Sequence, residues 1–208
     1  MTTSDDAVVV FVVDDDPSVR EAVSSLLRSV GFDVVALASA QQFLDHVGRD
    51  DAACVVLDVR MPGLGGLDLQ HQLVRAGNAP PIVFITGHGD IPMAVRAMKL
   101  GAVEFLPKPF REHDLLDAVS NAVRRYHDTR AARSMVRDIR RRYDTLTDRE
   151  RDVLDPIVAG KLNKQVGAAL GVSEQTVKVH RHHIMRKMDA SSLPDLVRMV
   201  ELLRADSG

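Results

Sequence analysis

Five short apolar runs, each followed by a turn and then a helical pattern, dictate what the first half of this chain can fold into. They are Val8 to Val13, Asp33 to Leu37, the run through Cys54-Val55-Val56-Leu57, Ile82 to Thr86, and Val103 to Leu106. Runs this short and this apolar read as strands, buried on both faces where no polar residue interrupts them. Between them, apolar residues recur at helical spacing. Val19, Ala22, Val23, Leu26, Leu27 and Val30 form one such stripe, which Gly31 ends. A short helix is expected from Gln41 to Val47, and longer ones from near Leu67 and from Pro92. Strand–helix alternation predicts an α/β fold with a doubly wound, five-stranded parallel sheet. Ligand chemistry in such sheets sits beyond the carboxyl ends of the strands.

Those ends carry a coherent set of groups. The first strand delivers Asp14 and Asp15, the third Asp58, the fourth Thr86 and the fifth Lys108. Three carboxylates at one edge repel unless a cation joins them. Oxygen donors suit Mg²⁺, which takes six of them at about 2.0–2.1 Å. A hydroxyl and an ammonium complete a site for a phosphoryl group, whose oxygens they neutralise while a carboxylate oxygen attacks in line. Each residue alone has an ordinary explanation. Asp14-Asp15-Asp16 before Pro17 would serve as helix capping, and strand-end Thr and Lys are commonplace. Their coincidence on four strands is what points to chemistry. His88 is read as a solvated loop residue, because a general base beside an acyl phosphate would hasten its loss. Cys54 is the chain's one cysteine and reads as a small core residue.

Val13-Asp14-Asp15-Asp16, Leu57-Asp58-Val59-Arg60-Met61-Pro62-Gly63, Thr86-Gly87-His88-Gly89-Asp90 and Lys108-Pro109-Phe110 resemble a response-regulator receiver domain. The run from Ile85 to Phe110 resembles the FixJ-type subgroup most. The resemblance implies that Asp58 accepts phosphate from a sensor histidine kinase. It implies Mg²⁺ bound by Asp15, Asp58 and the Arg60 backbone carbonyl, with Asp14 acting through water. Thr86 and Lys108 would hold the phosphoryl oxygens, and Phe105 would be the aromatic switch that moves with Thr86. Phosphorylation would then favour homodimers through the fourth helix, fifth strand and fifth helix. Gly65 departs from the family pattern, where a polar residue is common.

Charge is divided unevenly. Residues 1–123 carry 17 acidic and 9 basic side chains, and the remainder carries 12 acidic and 18 basic. A basic half on an acidic half points to nucleic acid as the partner of the basic one. Between the halves, Leu115 to Thr145 contains neither Pro nor Gly and is rich in Arg, which reads as a solvated helical spacer.

Thr147-Asp148-Arg149-Glu150 is a capping box that opens a helix. Asn163 to Leu170 follows, with Gly171 as its cap, then a helix from Glu174 to about Met188 and a last one from Leu193. Short helices with a tight Gly-containing turn before the third describe an all-α, four-helix helix-turn-helix module. Helical phase puts Val177, His180, Ile184 and Met188 on its core side and Gln175, Lys178, Val179, His182 and Arg186 on the outer, DNA-reading side. His180, His182 and His183 lack the partners a zinc site needs.

Residues 146–204 resemble a LuxR-type domain through Leu146-Thr147-Asp148-Arg149-Glu150, Asn163-Lys164-Gln165-Val166 and Val177-Lys178-Val179-His180-Arg181. This implies dimers on two-fold double-stranded DNA, with Lys178, Val179 and His182 at contact positions and pairing through the last helix. Activation of transcription, with RNA polymerase as a further partner, follows from the subgroup. Pro156 inside a helix and Gly167 where the family has Ala predict a kink or lowered stability.

The combined expectation is a receiver over 1–123, a helical linker over 124–145 and a DNA-binding domain over 146–208. The protein would be a cytoplasmic transcriptional regulator, since no apolar run approaches bilayer length. Two rivals differ in testable ways. A Mg²⁺-dependent phosphatase of the haloacid-dehalogenase type would be phosphorylated on Asp14. A binding-only protein would engage DNA equally well without phosphate.

Overall fold

The computed structural model describes residues 8–46, 51–77, 79–87 and 91–206. Residues up to Thr129 form one compact unit and those from Arg130 onward a second. Among the described residues no helix is long and apolar enough to cross a membrane.

The first unit is built on strands β1 (Val9–Val13), β2 (Asp33–Leu37), β3 (Ala52–Asp58), β4 (Ile82–Thr86) and β5 (Glu104–Pro107), all parallel in the order β2-β1-β3-β4-β5. This is the expected doubly wound sheet, with β5 lying one residue later than the sequence pattern placed it. The helices are α1 (Pro17–Ser29), α2 (Ala40–Asp45), α3 (Gly66–Arg75), α4 (Ile91–Lys99) and α5 (Glu112–Asp144). The expected end of the second helix at Val47 and the loop residue His88 lie outside the described residues.

Strand alternation sorts the core into two layers. Val10, Val12, Cys54, Val56, Val83 and Ile85 face α1 and the first turns of α5, packing on Val23, Leu27, Leu115 and Val119. Phe11, Val13, Val55, Leu57, Ile82 and Phe84 face the other way, onto Phe43, Leu69 and Ala97. Every residue of β3 is buried, so Asp58 is the last residue of a strand anchored on both faces. Complete burial of a large aliphatic or aromatic side chain contributes about 1.5–3 kcal/mol, and that is what fixes the strand. Burial also pushes the Cys54 thiol up, which keeps it protonated and inert.

The second unit holds α6 (Asp148–Val158), α7 (Asn163–Leu170), α8 (Glu174–Met188) and α9 (Leu193–Asp206), together with the last turns of α5. The segment 124–145 does not behave throughout as a solvated spacer. Ile139 is buried in this unit's core, with Val136 and Tyr143 against it, because the three recur at helical spacing. Pro156 does not break α6. It sits near the helix's end, and the carbonyl it leaves without a partner belongs to the exposed residue Asp152. Gly167 has a positive role. A Cβ there would lie 2.7 Å from the Val172 carbonyl, so the tight turn between α7 and α8 needs glycine at that point. That turn closes through Gly171, in the left-handed region at φ 68°.

The capping box joins a larger network. The Thr147 amide donates to the Glu150 carboxylate at 2.8 Å, and the Glu150 amide donates to the Thr147 hydroxyl at 3.3 Å. Lys187, near the end of α8, donates to the same carboxylate at 2.6 Å and to the Thr145 carbonyl at 3.1 Å. Arg142 donates to the Met188 carbonyl at 3.2 Å. The carboxyl-terminal end of α8 is thereby tied to the last turn of α5 and the start of α6.

Glu150 is buried. Burial opposes its ionisation, but the Lys187 ammonium and the hydrogen bonds from Thr147 outweigh it and hold the carboxyl at about 2, below its ordinary 4.5. A depressed carboxyl stabilises the fold fully above its unfolded value and loses that contribution as pH falls from 4.5 through about 2. Charged hydrogen bonds contribute about 1.5–3 kcal/mol, and the partial exposure of Lys187 sets the loss in Glu150→Gln near the lower end. Hydrogen exchange of peptides from 146–200 in the full chain is expected to show this deficit at neutral pH. The gap from wild type should close as the acid limit is approached.

Candidate functional site

The carboxyl edge of the sheet brings the expected residues together. Lys108 Nζ lies 2.7 Å from Asp14 Oδ2 and 3.1 Å from Asp58 Oδ1. The ligand oxygens of Asp14, Asp15 and Asp58 all fall within 4.8 Å of one another. Asp14 is buried: its Oδ1 accepts the Asp16 amide at 2.9 Å while its Oδ2 accepts Lys108. Asp15 is exposed, with a carboxylate oxygen still within 4.8 Å of those of Asp14 and Asp58. Asp58 is 6% exposed, and its Oδ2 accepts the Arg60 amide at 3.1 Å.

The strands explain this convergence. The Val59 amide donates to the Ile85 carbonyl at 3.2 Å, and Asp58 pairs with Ile85, so Thr86 stands one step further along the same edge. The Lys108 amide donates to the Thr86 carbonyl at 2.7 Å, which ties the ends of β4 and β5 together. Thr86 is buried at 1% exposure. Phe105 is half-buried against Phe84, with ring centroids 6.1 Å apart.

Electrostatics follow from crowding. Burial raises the Asp58 carboxyl above its ordinary range and the Asp14 charge adds to it, more than Lys108 and the Arg60 amide take away. Burial works against the Lys108 ammonium, but Asp14 and Asp58 outweigh it and hold the lysine above its ordinary value. The two directions are compatible, because one ammonium shared by two carboxylates cannot neutralise both. Asp15 adds a third. An all-oxygen cluster with surplus negative charge and an exposed member fits a hard divalent cation, and it matches the Mg²⁺-binding triad of receiver domains.

Two features were not read from the sequence. Arg20, on α1, donates to the Asp14 carbonyl at 2.6 Å and to the Asp15 carbonyl at 3.3 Å. A Cβ on Gly66 would lie 2.2 Å from the Asp58 carbonyl oxygen, so Gly66 is there for close approach, beyond loosening the turn. A Gly at a helix start after Gly63 and Gly65 was the signal for the second; nothing in the sequence marked the first.

In the second unit, Gln175, Lys178, Val179, His182 and Arg186 are all exposed on α8, while Val177, Ile184 and Met188 are fully buried. Lys178 makes an exposed pair with Glu174 at 3.3 Å, a contact weak enough for a phosphate to replace. His180 is half-buried on the core side, with no hydrogen-bond partner for Nδ1 among the described residues.

A receiver-type acidic site on a doubly wound sheet, with a helix-turn-helix unit in the same chain, defines a class, and comparison with known proteins places the chain within it. Residues 10–120 match the response regulator receiver domain, and residues 144–200 match the bacterial regulatory proteins of the luxR family. Response regulator protein TodT of Pseudomonas putida is 50% identical over 201 residues, covering 97% of this chain and 88% of TodT. The solved structure of response regulator StyR has a TM-score of 0.83 at 50% identity, covering 94% of this chain and 99% of StyR. Full-length FixJ from B. japonicum gives 0.55 at 40% identity, over 98% and 99% of the two chains.

The chain belongs to the FixJ-type two-component response regulators, with a receiver and a luxR-type helix-turn-helix. It is a phosphorylation-dependent, DNA-binding transcriptional regulator that works with a cognate histidine kinase and a DNA target. Family members are signalling transcription factors and not catalytic enzymes, which removes the phosphatase alternative.

Gly66→Ala is expected to push on the Asp58 carbonyl. Overpacking of this kind costs about 1–3 kcal/mol. Thermal unfolding of the full chain should fall accordingly, and calorimetric titration should show weaker Mg²⁺ binding than in wild type.

Proposed function

We propose that Asp58 is the phosphoacceptor and that its phosphorylation promotes homodimerisation and DNA binding. The observation that carries this is the shared Lys108, which bridges Asp14 and Asp58 at 2.7 and 3.1 Å on the one edge where three carboxylates meet. An Asp58 carboxylate oxygen attacks phosphorus, the P–N bond to the kinase's phosphohistidine breaks, and the electron pair leaves with the imidazole nitrogen. Asp14, Asp15 and Asp58, with the Arg60 carbonyl, would hold Mg²⁺, which when bound neutralises the phosphoryl oxygens. Lys108 takes one phosphoryl oxygen and the Thr86 hydroxyl another.

The new charge supplies the bias for a switch. Thr86 moving toward it vacates space beside β4, and Phe105 follows from its half-buried position. The face affected includes α4, where Ile91, Val95 and Met98 are 81%, 45% and 44% exposed at helical spacing. An apolar stripe left in solvent is what a partner copy would cover. Two linked DNA-binding units then gain affinity through effective concentration on a two-fold site. On α8, Lys178 and Arg186 supply charge, Gln175 and His182 polar contacts, and Val179 an apolar contact for a thymine methyl. Contact with RNA polymerase, and activation as its result, would follow from DNA binding.

Acetyl phosphate labelling with mapping of the acyl phosphate is expected to find Asp58 modified and Asp58→Asn unmodified. Phosphorylated wild type should dimerise and bind DNA more tightly than Asp58→Asn. Label on Asp14, or equal DNA affinity for the two proteins, would refute the proposal. Lys178→Ala should weaken binding. If Lys178 meets phosphate only, the loss should be similar on all sequences and the salt slope should fall by about one.

A further inference from the structure

We propose that Arg20 is a positioning residue for the cation site, holding the backbone of the loop after β1 so that the carboxylates of Asp14 and Asp15 point at Asp58. The inference rests on the Mg²⁺ site described above and concerns a residue outside its ligand set.

The loop between β1 and α1 is fixed at both ends. At its start, the Asp14 amide donates to the Leu37 carbonyl at 3.2 Å, continuing the sheet. At its far end, Asp16 caps α1 by accepting the Ser18 amide at 2.8 Å, and its carbonyl accepts the Arg20 amide at 3.0 Å. The carbonyls of Asp14 and Asp15 lie between these anchors and belong to neither the sheet nor the helix. The carbonyl of the buried residue Asp14 needs a donor, and that of the exposed residue Asp15 gains one as well. One guanidinium nitrogen of Arg20 serves both, at 2.6 and 3.3 Å.

The consequence is largest for Asp15. The Asp14 carboxylate is held independently, by the Asp16 amide and by Lys108. The Asp15 side chain is exposed, and its direction follows from its backbone. A residue that pins that backbone sets where the exposed member of the oxygen cluster points. Outer-shell partners of this kind change metal affinity by about 10–100-fold when removed.

Arg20 also brings a positive charge to the backbone of two of the three acidic residues, and this gives the test its sign. A guanidinium acting only through charge repels Mg²⁺, so its removal would tighten binding. A guanidinium acting by position favours binding, so its removal weakens it. A guanidinium that merely stabilises the fold changes the melting temperature and leaves Mg²⁺ affinity alone.

Isothermal titration of Mg²⁺ into the full, unphosphorylated chain separates these cases, with wild type, Arg20→Met, Arg20→Lys and Asp15→Asn compared alongside their thermal unfolding. Arg20→Met is expected to bind Mg²⁺ about tenfold more weakly. Arg20→Lys, which keeps one donor, should recover part of the loss even if Arg20→Met folds poorly. Unchanged or tighter Mg²⁺ binding in folded Arg20→Met overturns the inference, as does Arg20→Lys no better than Arg20→Met. Wild type that binds no Mg²⁺, or Asp15→Asn that binds it as wild type does, overturns the site reading itself.

Discussion

The first unit turns on a charge conflict that folding cannot avoid. Parallel strand order β2-β1-β3-β4-β5 places the ends of β1 and β3 side by side, and both end in carboxylates. Hydrophobic burial along β3 is strong enough to drag Asp58 to a nearly buried position where ionisation is disfavoured. Lys108, delivered from β5, relieves part of the repulsion by hydrogen bonding to Asp14 and Asp58 at once. The remainder is left for a cation and for an incoming phosphoryl group. The core therefore holds the site in a state of unfinished neutralisation. Binding energy for metal and phosphate comes from that deficit, and it would vanish if the carboxylates were free to move apart.

Most of this arrangement was legible in the sequence, for a physical reason. In a doubly wound sheet the chain must turn immediately after each strand, so residues at strand ends converge whatever lies between them. Apolar runs fix where the strands stop, and Asp14, Asp58, Thr86 and Lys108 are then at one edge by topology alone. The outer face of α8 was legible for a similar reason, because period 3.6 sorts Lys178 and Val179 from Val177 and Ile184 without any tertiary information. What escaped depends on separations between elements. Gly66 is required by a 2.2 Å approach of its Cβ position to the Asp58 carbonyl, which the glycines of the turn hint at but do not locate. Arg20 looked like one more helix-surface cation. Lys187 meets Glu150 only because α8 folds back across the start of α6, and the capping box announced the carboxylate but not its second partner.

The second unit uses a buried charge differently from the first. Glu150 accepts the Thr147 amide and the Lys187 ammonium on one carboxylate oxygen, while its own amide donates to the Thr147 hydroxyl. It is held far toward the ionised form, whereas Asp58 is held away from it. A carboxylate that its partners hold ionised locks geometry, and one crowded by other carboxylates is left to recruit a cation. The lock matters because Lys187 and Arg142 grip the carboxyl-terminal end of α8, at Met188, leaving the exposed face from Gln175 to Arg186 to be presented in one orientation. A helix that reads base edges has to enter the groove at a set angle, and under the proposed reading by α8 the polar ties at its far end would set that angle without occupying the exposed face.

Transmission within the receiver depends on how few bonds separate Asp58 from the surface. From Asp58 the ladder steps to Ile85, whose neighbour Thr86 shares a 2.7 Å backbone hydrogen bond with Lys108. Lys108 returns to Asp58 through its ammonium, so Asp58, the Thr86 backbone and Lys108 form a closed loop of contacts. Phe84 and Phe105 lie on the neighbouring register step of the same two strands. Under the proposed phosphorylation, a dianion at Asp58 that draws in the Lys108 ammonium would also pull on the backbone of Thr86. β5, whose residues are only half-buried or exposed, would take up that pull more readily than β3, which is buried throughout. A packed strand yields less than a half-covered one, so the proposed response would be directed outward, toward β5 and the exposed stripe of α4.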